Sequence, residues 1–281
     1  MKVSVVMAVY NRAKYINECM DSILAQKFQD FEIIVADDCS KDSTLEILND
    51  YAAKDKRIHI IANQRHHFIE TLNMGMDMAK GEYIARIDSD DLMMPERLER
   101  QVEVLDRDVS VAVCCSWYDI LGDSLPVWKD ISGKIVRPYH RLLLGNFMAN
   151  PTSMIRKSFL DEYHLSYDEK YIFSEDYKLW TEIARLGGGF YMIPDSLVKY
   201  RVHKDQLSFK HGAVQAESAF KAQIDVLNDL VERHGLKDSR FDDLFTILTS
   251  FNDDGLLLPD TIFRICYELV ENQSRLSKEE A

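Results

Sequence analysis

Apolar positions in the first hundred residues alternate between short unbroken runs and helically spaced stripes. Val3-Ser4-Val5-Val6-Met7-Ala8-Val9 and Phe31-Glu32-Ile33-Ile34-Val35-Ala36 are dense enough to be strands buried on both faces. Ile16, Met20, Ile23 and Leu24 share one helical face between them, and Leu45, Leu48, Tyr51 and Ala52 do so after the second run. The pattern then predicts a strand over Arg57–Ala62, a helix over Phe68–Lys80 closed by Gly81, and a strand over Glu82–Ile87. Pro95 stands where a helical turn would start, with Leu98, Val102 and Leu105 behind it. Strand-helix units in succession predict a parallel sheet covered by helices, the α/β layout of nucleotide-binding domains.

Beyond Val109 the rhythm loosens. Val111–Trp117 predicts a strand, Gly122–Pro138 loop and hairpin, and Ser174–Leu186 a helix ended by Gly187-Gly188-Gly189. Two short strands are expected around Phe190–Ile193 and Leu197–Val202. After His203 come three amphipathic stripes: Phe220, Ile224, Leu227 and Val231; Leu244, Phe245, Leu248 and Phe251; Ile262, Phe263, Cys266 and Leu269. The expected division is an α/β domain over 1–205 and a helical extension over 206–281.

Composition narrows the class. The 281 residues carry 34 Lys+Arg against 47 Asp+Glu, a net charge of −13, which argues against nucleic acid as a partner because phosphate binding needs neutralising cations. No run approaches the roughly 20 apolar residues that span a bilayer, and the first run lacks the length and cleavage pattern of a signal peptide. The five cysteines are scattered without C-x-x-C spacing, so neither a disulfide framework nor a cysteine metal site is expected. A cytoplasmic protein without a transmembrane segment follows as the expectation.

No G-x-G-x-x-G follows the first strand and no Walker motif occurs, so dinucleotide dehydrogenases and Walker-type ATPases lose their main support. Acidic residues stand at the strand ends instead: Asp37 and Asp38 after the second strand, Asp88-Ser89-Asp90-Asp91 after the fourth. Ligands of a doubly wound sheet bind beyond the carboxyl ends of its strands, so these carboxylates should share one crevice. A hard divalent cation, Mn2+ or Mg2+, answers such crowding, because it binds through one or two carboxylates plus substrate phosphates. His66 and His67 are not assigned a second metal, since adjacent side chains on an extended segment point apart.

Three ordered segments carry a resemblance: Ala8-Val9-Tyr10-Asn11-Arg12, Ile34–Thr44 with its Asp37-Asp38, and Gly81–Asp91 with its Asp88-Ser89-Asp90. Over residues 1–205 the chain resembles the family 2 inverting glycosyltransferases, which have the type A nucleotide-sugar fold, a Rossmann-like, mainly parallel sheet between helices. The resemblance implies that Val9, Tyr10 and Arg12 lie by the nucleobase and that Asp38 hydrogen-bonds the uracil or ribose of a UDP-sugar donor. It puts Asp88 and Ser89 on the ribose side and makes Asp90 the direct metal ligand of the D-x-D, with Asp88 nearby. In Phe173–Trp180, which resembles the family's E-D segment, Asp176 is the implied general base and Glu175 an acceptor-side candidate. His203 in Val198–Ser208 is an implied further metal ligand, and Arg201 would approach the diphosphate. Asn150, Thr152 and Trp180 are the other acceptor-side candidates. The chain departs from the family at Gln64-Arg65-His66-His67, where relatives often place a Gly, and at Leu72, where many place a basic residue. Base and diphosphate contacts are therefore not carried over to that loop.

Leu72–Asp77, Ile84–Asp88 and Leu197–His203 further resemble bacterial lipooligosaccharide transferases that add β-1,3-linked N-acetylglucosamine to galactose. The implied reaction moves a sugar, N-acetylglucosamine by that resemblance and glucose or galactose otherwise, onto a glycan or lipid-linked glycan hydroxyl. The tail leaves open a homo-oligomer and peripheral association with the inner face of the membrane. Two other classes compete. A non-catalytic nucleotide-sugar-binding or assembly subunit would not need Asp176, and a nucleotidyltransferase would need more basic residues near position 10 than Arg12 and Lys14.

Overall fold

Strand β1 (Val3–Val9), helix α1 (Ile16–Leu24), β2 (Phe31–Asp37), α2 (Thr44–Lys54), β3 (Ile58–Ala62), α3 (Phe68–Met78) and β4 (Tyr83–Arg86) follow the expected alternation. These come from a computed structural model that describes residues 1–121, 127, 129–204 and 206–233. β1 runs parallel to β2 and β4, and β2 to β3, which brings Val9, Asp37 and Ala62 to one edge of the sheet. Both faces of β1 and β2 are buried: Val3, Val5, Met7 and Val9 pack with α1 residues Ile16, Cys19, Met20 and Ile23, while Val6 and Ile34 pack with α3 residues Ile69, Leu72 and Met76. Continuous apolar runs are the sequence mark of strands covered on two sides.

Helix α3 ends at Met78, before the Gly81 expected to close it. Gly81 serves close approach instead: a Cβ there would lie 2.5 Å from the Ser4 nitrogen. Its N–H donates to Ser4 Oγ at 2.8 Å, and the Ser4 hydroxyl donates to the buried Glu32 at 2.6 Å.

The second half completes the sheet. It contains β5 (Leu92–Met93), α4 (Arg97–Arg107), β6 (Val111–Leu121), β7 (Gly133–Lys134), α5 (Pro138–Leu142), β8 (Met154–Arg156), α6 (Lys157–Tyr163), α7 (Glu175–Arg185) and β9 (Gly189–Arg201). Among the described residues the strand order is β3-β2-β1-β4-β8-β6-β9-β5, with β7 also on β9. β8 enters antiparallel between β4 and β6, so the sheet is mixed although mainly parallel on its nucleotide side. The two strands expected around Phe190 and Leu197 are one: β9 pairs with β6 through Ser116↔Ile193 and then Trp117↔Ser196, which leaves Pro194 and Asp195 unpaired in a bulge. A proline cannot donate to a ladder, and a bulge lets the strand continue past it.

Helices α8 (Leu207–Lys210) and α9 (Gly212–Arg233) open the segment expected as a helical extension. α9 is part of the main core. Its Ala222, Val226, Leu227 and Leu230 are buried with Trp180 and Ile183 of α7 and with Tyr139 and Leu142 of α5. Of the stripe expected on this helix only Leu227 is fully buried; Phe220, Ile224 and Val231 flank the contact. The stripes at 244–251 and 262–269 lie outside the described residues. No helix of the described residues is long and apolar enough to cross a membrane.

Candidate active site

The loops that leave β1 and β2 are stitched together at the sheet edge. Asn11 N–H donates to Ser40 Oγ (3.0 Å), Arg12 N–H to Thr44 Oγ1 (2.7 Å) and Ala13 N–H to Asp42 Oδ2 (3.1 Å), while Asn11 Oδ1 accepts from Lys41 N–H (2.7 Å). Asn11 and Cys39, at the two strand ends, both hold positive φ (51° and 63°), conformations that cost non-glycine residues energy and recur at functional sites. Between these loops Val9 and Tyr10 part ways. Val9 is buried in the core below the sheet edge, so its side chain packs rather than facing a nucleobase. Tyr10 stays half-buried and its ring stacks on His66.

Asp38 is buried. Oδ1 accepts from His67 N–H (2.7 Å) and Thr71 Oγ1 (2.8 Å), while Oδ2, which has no hydrogen bond of its own, lies 2.7 Å from His66 Nδ1; that nitrogen bonds the Asp38 main-chain carbonyl at 3.2 Å. The 64–67 loop, to which no base contact was carried over, thus meets both residues expected to read the base.

Acidic residues crowd the crevice beyond β4. Asp90 Oδ2 lies 2.9 Å from His203 Nε2 and 3.3 Å from Arg12 Nε. The first contact joins two residues that the motifs imply as metal ligands, and the second adds Arg12, implied beside the nucleobase. Asp91, to which no motif gives a role, is wholly buried, and its Oδ1 accepts the Arg201 N–H at 2.8 Å. The Arg201 guanidinium donates to the Asp90 carbonyl (2.8 Å) and to Glu18 (2.6 Å) and lies over the Tyr15 ring, on which His203 also stacks. Ser89 is buried beside them. Burial in the crevice pushes the Asp88 carboxyl up to about 6 against the pull of Arg86, and neighbouring Asp90 adds to the rise. Arg86 itself is buried, with its Nη2 3.8 Å from Asp88.

Across the crevice, α7 begins at Glu175, after Phe173 in a positive-φ conformation (63°). Asp176 is half-buried; its Oδ1 accepts the Tyr177 N–H at 2.7 Å and its Oδ2 accepts from Asn146 Nδ2 at 3.3 Å. Desolvation raises its pKa to about 6, and the charge of Asp88 contributes. Glu175 is buried with Oε2 unpartnered, and desolvation together with the Asp176 charge pushes it to about 8. Two neighbouring carboxyls held apart in this way allow one to keep its proton while the other works as a base near neutrality.

Three acceptor-side candidates fare differently from Asp176. Trp180 is fully buried in the main core, so its ring is not available to stack on a sugar. Thr152 is also fully buried and spends its hydroxyl on the Ala149 carbonyl (2.8 Å). Asn150 is half-buried, with Oδ1 3.4 Å from the Tyr167 hydroxyl.

The donor set suits a hard cation that brings phosphate with it. Among the described residues no three His, Cys, Asp or Glu side chains converge closely enough to hold an ion unaided. Asp90 and His203 do meet, and Mg2+-type sites commonly rest on one or two protein ligands plus substrate phosphates and water.

The family profile described as Glycosyl transferase family 2 matches residues 4–164. The chain belongs to glycosyl transferase family 2. An uncharacterized glycosyltransferase of Haemophilus influenzae is 33% identical over 251 residues, 83% of this chain and 76% of that protein. The putative teichuronic acid biosynthesis glycosyltransferase TuaG of Bacillus subtilis is 28% identical over 73% of this chain and 81% of its own length. S. aureus TarS 1–349, solved in complex with UDP-GlcNAc, superposes with a TM-score of 0.68 at 22% identity, covering 82% of this chain and 67% of that one. Another S. aureus TarS structure is covered over 40% of its chain. The sheet described above is thus the type A glycosyltransferase fold, and in this family 2 member Arg12, on the β1 loop tied to the loop after Asp38, reaches Asp90 of the other acidic loop.

Proposed function

We propose that this glycosyltransferase moves a sugar from a UDP-sugar to a glycan hydroxyl with inversion at the anomeric carbon, giving a β-linked product. The observation that carries the reading is the Asp176 carboxylate at the start of α7, facing the Asp88–Asp90 crevice with its pKa raised to about 6. Such a group is ionised at neutral pH yet basic enough to accept a proton, as a general base should be. The acceptor hydroxyl gives its proton to Asp176 while its oxygen bonds to the anomeric carbon. The bond to the diphosphate oxygen breaks in the same displacement, and UDP leaves with the electron pair.

Asp90 and His203, with Asp88 alongside, would hold Mn2+ or Mg2+, which when bound supplies positive charge against the leaving diphosphate. Arg12, already on Asp90, and Arg201, braced by Asp91 and Glu18, line the same side. Tyr10 and Asp38 would receive the uracil. UDP-GlcNAc is the favoured donor, supported by the motif resemblance and by the UDP-GlcNAc complex of the TarS neighbour; UDP-glucose and UDP-galactose are the alternatives. The acceptor is a glycan or lipid-linked glycan of a bacterial surface polymer, reached from the cytoplasmic side; the teichuronic acid biosynthesis in TuaG's name supports the polymer. A catalytically silent binder would not need a carboxylate tuned like Asp176.

UDP release from each of the three UDP-sugars, with Mn2+ and after chelation, tests the reading. Release is expected to be fastest with UDP-GlcNAc and to need the added cation; undiminished release after chelation would overturn the metal assignment. The pH profile adds a signature. The base works only when ionised, so kcat is expected to fall about tenfold per unit as pH drops below about 6 and to be flat from there to neutrality. A kcat that holds constant down to pH 5 would remove Asp176 from the role.

A further inference from the structure

At the end of β1 the Tyr10 ring carries the His66 imidazole, with 4.1 Å between centroids and 27° between planes. The same imidazole sets Nδ1 2.7 Å from Asp38 Oδ2. Nδ1 also bonds the Asp38 main-chain carbonyl at 3.2 Å, and a carbonyl only accepts, so Nδ1 carries the hydrogen. With Thr71 and the His67 N–H on its other oxygen, the Asp38 side chain is 2% exposed, whereas the His66 side chain is 57% exposed. A flat ring on Tyr10 that presents an N–H to Asp38 is also the contact set of a uracil bound as proposed above. Both rings cannot hold it, because stacked rings at this spacing leave no room for a third.

We propose that His66 occupies the nucleobase seat in the free protein and that UDP binds by ring-for-ring exchange. The imidazole turns out to solvent, uracil stacks on Tyr10, and its N3–H replaces Nδ1–H on Asp38. The exchange rests on the UDP-sugar reading and deepens it. It needs only side-chain rotation: the loop beside His66 is pinned by the His67 N–H on Asp38 and by the Glu70 N–H on His67 Nδ1 (3.3 Å). It also discriminates between bases. Cytosine offers a lone pair at N3, which would face the carboxylate acceptor to acceptor and cannot displace a donor.

Calorimetric titration of the whole chain with UDP, CDP and GDP, on wild type, His66→Ala and His66→Phe, tests the exchange. His66→Ala is expected to bind UDP about tenfold more tightly, which converts to roughly 1.4 kcal/mol for one competing stacked ring. His66→Phe keeps a ring without the donor and should fall between. Proton resonances of the His66 ring should lose the shielding of Tyr10 at saturating UDP. Unchanged or weaker UDP binding by His66→Ala, or His66 signals that keep that shielding, would overturn the exchange and leave the UDP reading intact. If wild type binds another nucleoside diphosphate and not UDP, the UDP reading falls and the exchange is judged on that nucleotide by the same two measurements. If none of the three binds, both fall.

Discussion

Asp176→Asn is expected to lower kcat by about a hundred- to ten-thousand-fold, the usual contribution of a positioned general base, while UDP affinity stays within about twofold of wild type. The amide keeps the shape of the carboxylate, and its oxygen still accepts the Tyr177 N–H that now holds Oδ1 at 2.7 Å. What it loses is the capacity to take the acceptor proton. Steady-state rates together with UDP titrations separate the two effects, since the variant changes chemistry and not donor binding. Near-normal transfer would move the base elsewhere. A parallel collapse of UDP binding would mean that Asp176 shapes the donor pocket instead.

Glu175→Gln should do the opposite of an active-site lesion and stabilise the fold at alkaline pH. Burial holds Glu175 at about 8 in the folded protein against 4.5 for a free carboxyl. A carboxyl whose folded pKa is raised favours the folded state fully below pH 4.5, and that advantage is lost as pH rises through 8. At pH 9 the native protein carries a buried, ionised Glu175 beside Asp176, and a neutral amide removes that cost. A gain of at least about 2 kcal/mol is expected there, given roughly 1.4 kcal/mol for each unit of raised pKa. At pH 5, where Glu175 is protonated, little gain is expected. Thermal unfolding of both proteins from pH 5 to 9 reads the difference: the melting temperatures should diverge as pH rises, and parallel curves would show that Glu175 is not held neutral.

The nucleotide side of the fold was legible because its physics is local. Parallel strands covered on both faces need unbroken apolar runs, and β1 to β4 with α1 to α3 announce themselves that way. The second half depends on partners distant in the chain. β5 is two residues long and carries no periodicity, and β9 reads as two strands because the bulge that absorbs Pro194 is set by its pairing with β6. In the site, Asp90 and His203 were singled out from motifs and do meet. An amphipathic helix does not reveal which face a neighbour covers, so Trp180 reads equally as a stacking or a core residue, and it is buried with α9 residues in the main core. Asn146 on Asp176 had no signal, being 30 residues away in a stretch without a motif. His66 did carry one, its departure from the family pattern, but its direction toward Tyr10 and Asp38 exists only once α3 starts where it does.

The packing of α9 sets an order of events during synthesis. Gln215 clasps both Phe173 and Ser174, the residues that launch α7, and Asp225 binds Lys178, two residues past Asp176. The strands that lead to Tyr10, Asp38 and Asp90 all lie in the first hundred residues, although β4 gains its partner β8 only later. The helix that presents Asp176 keeps part of its core face uncovered until translation has passed Leu230. A nascent chain therefore shapes the loops around Tyr10 and Asp38 well before Arg201 and His203 arrive to close the charged cluster around Asp90 and α9 braces α7.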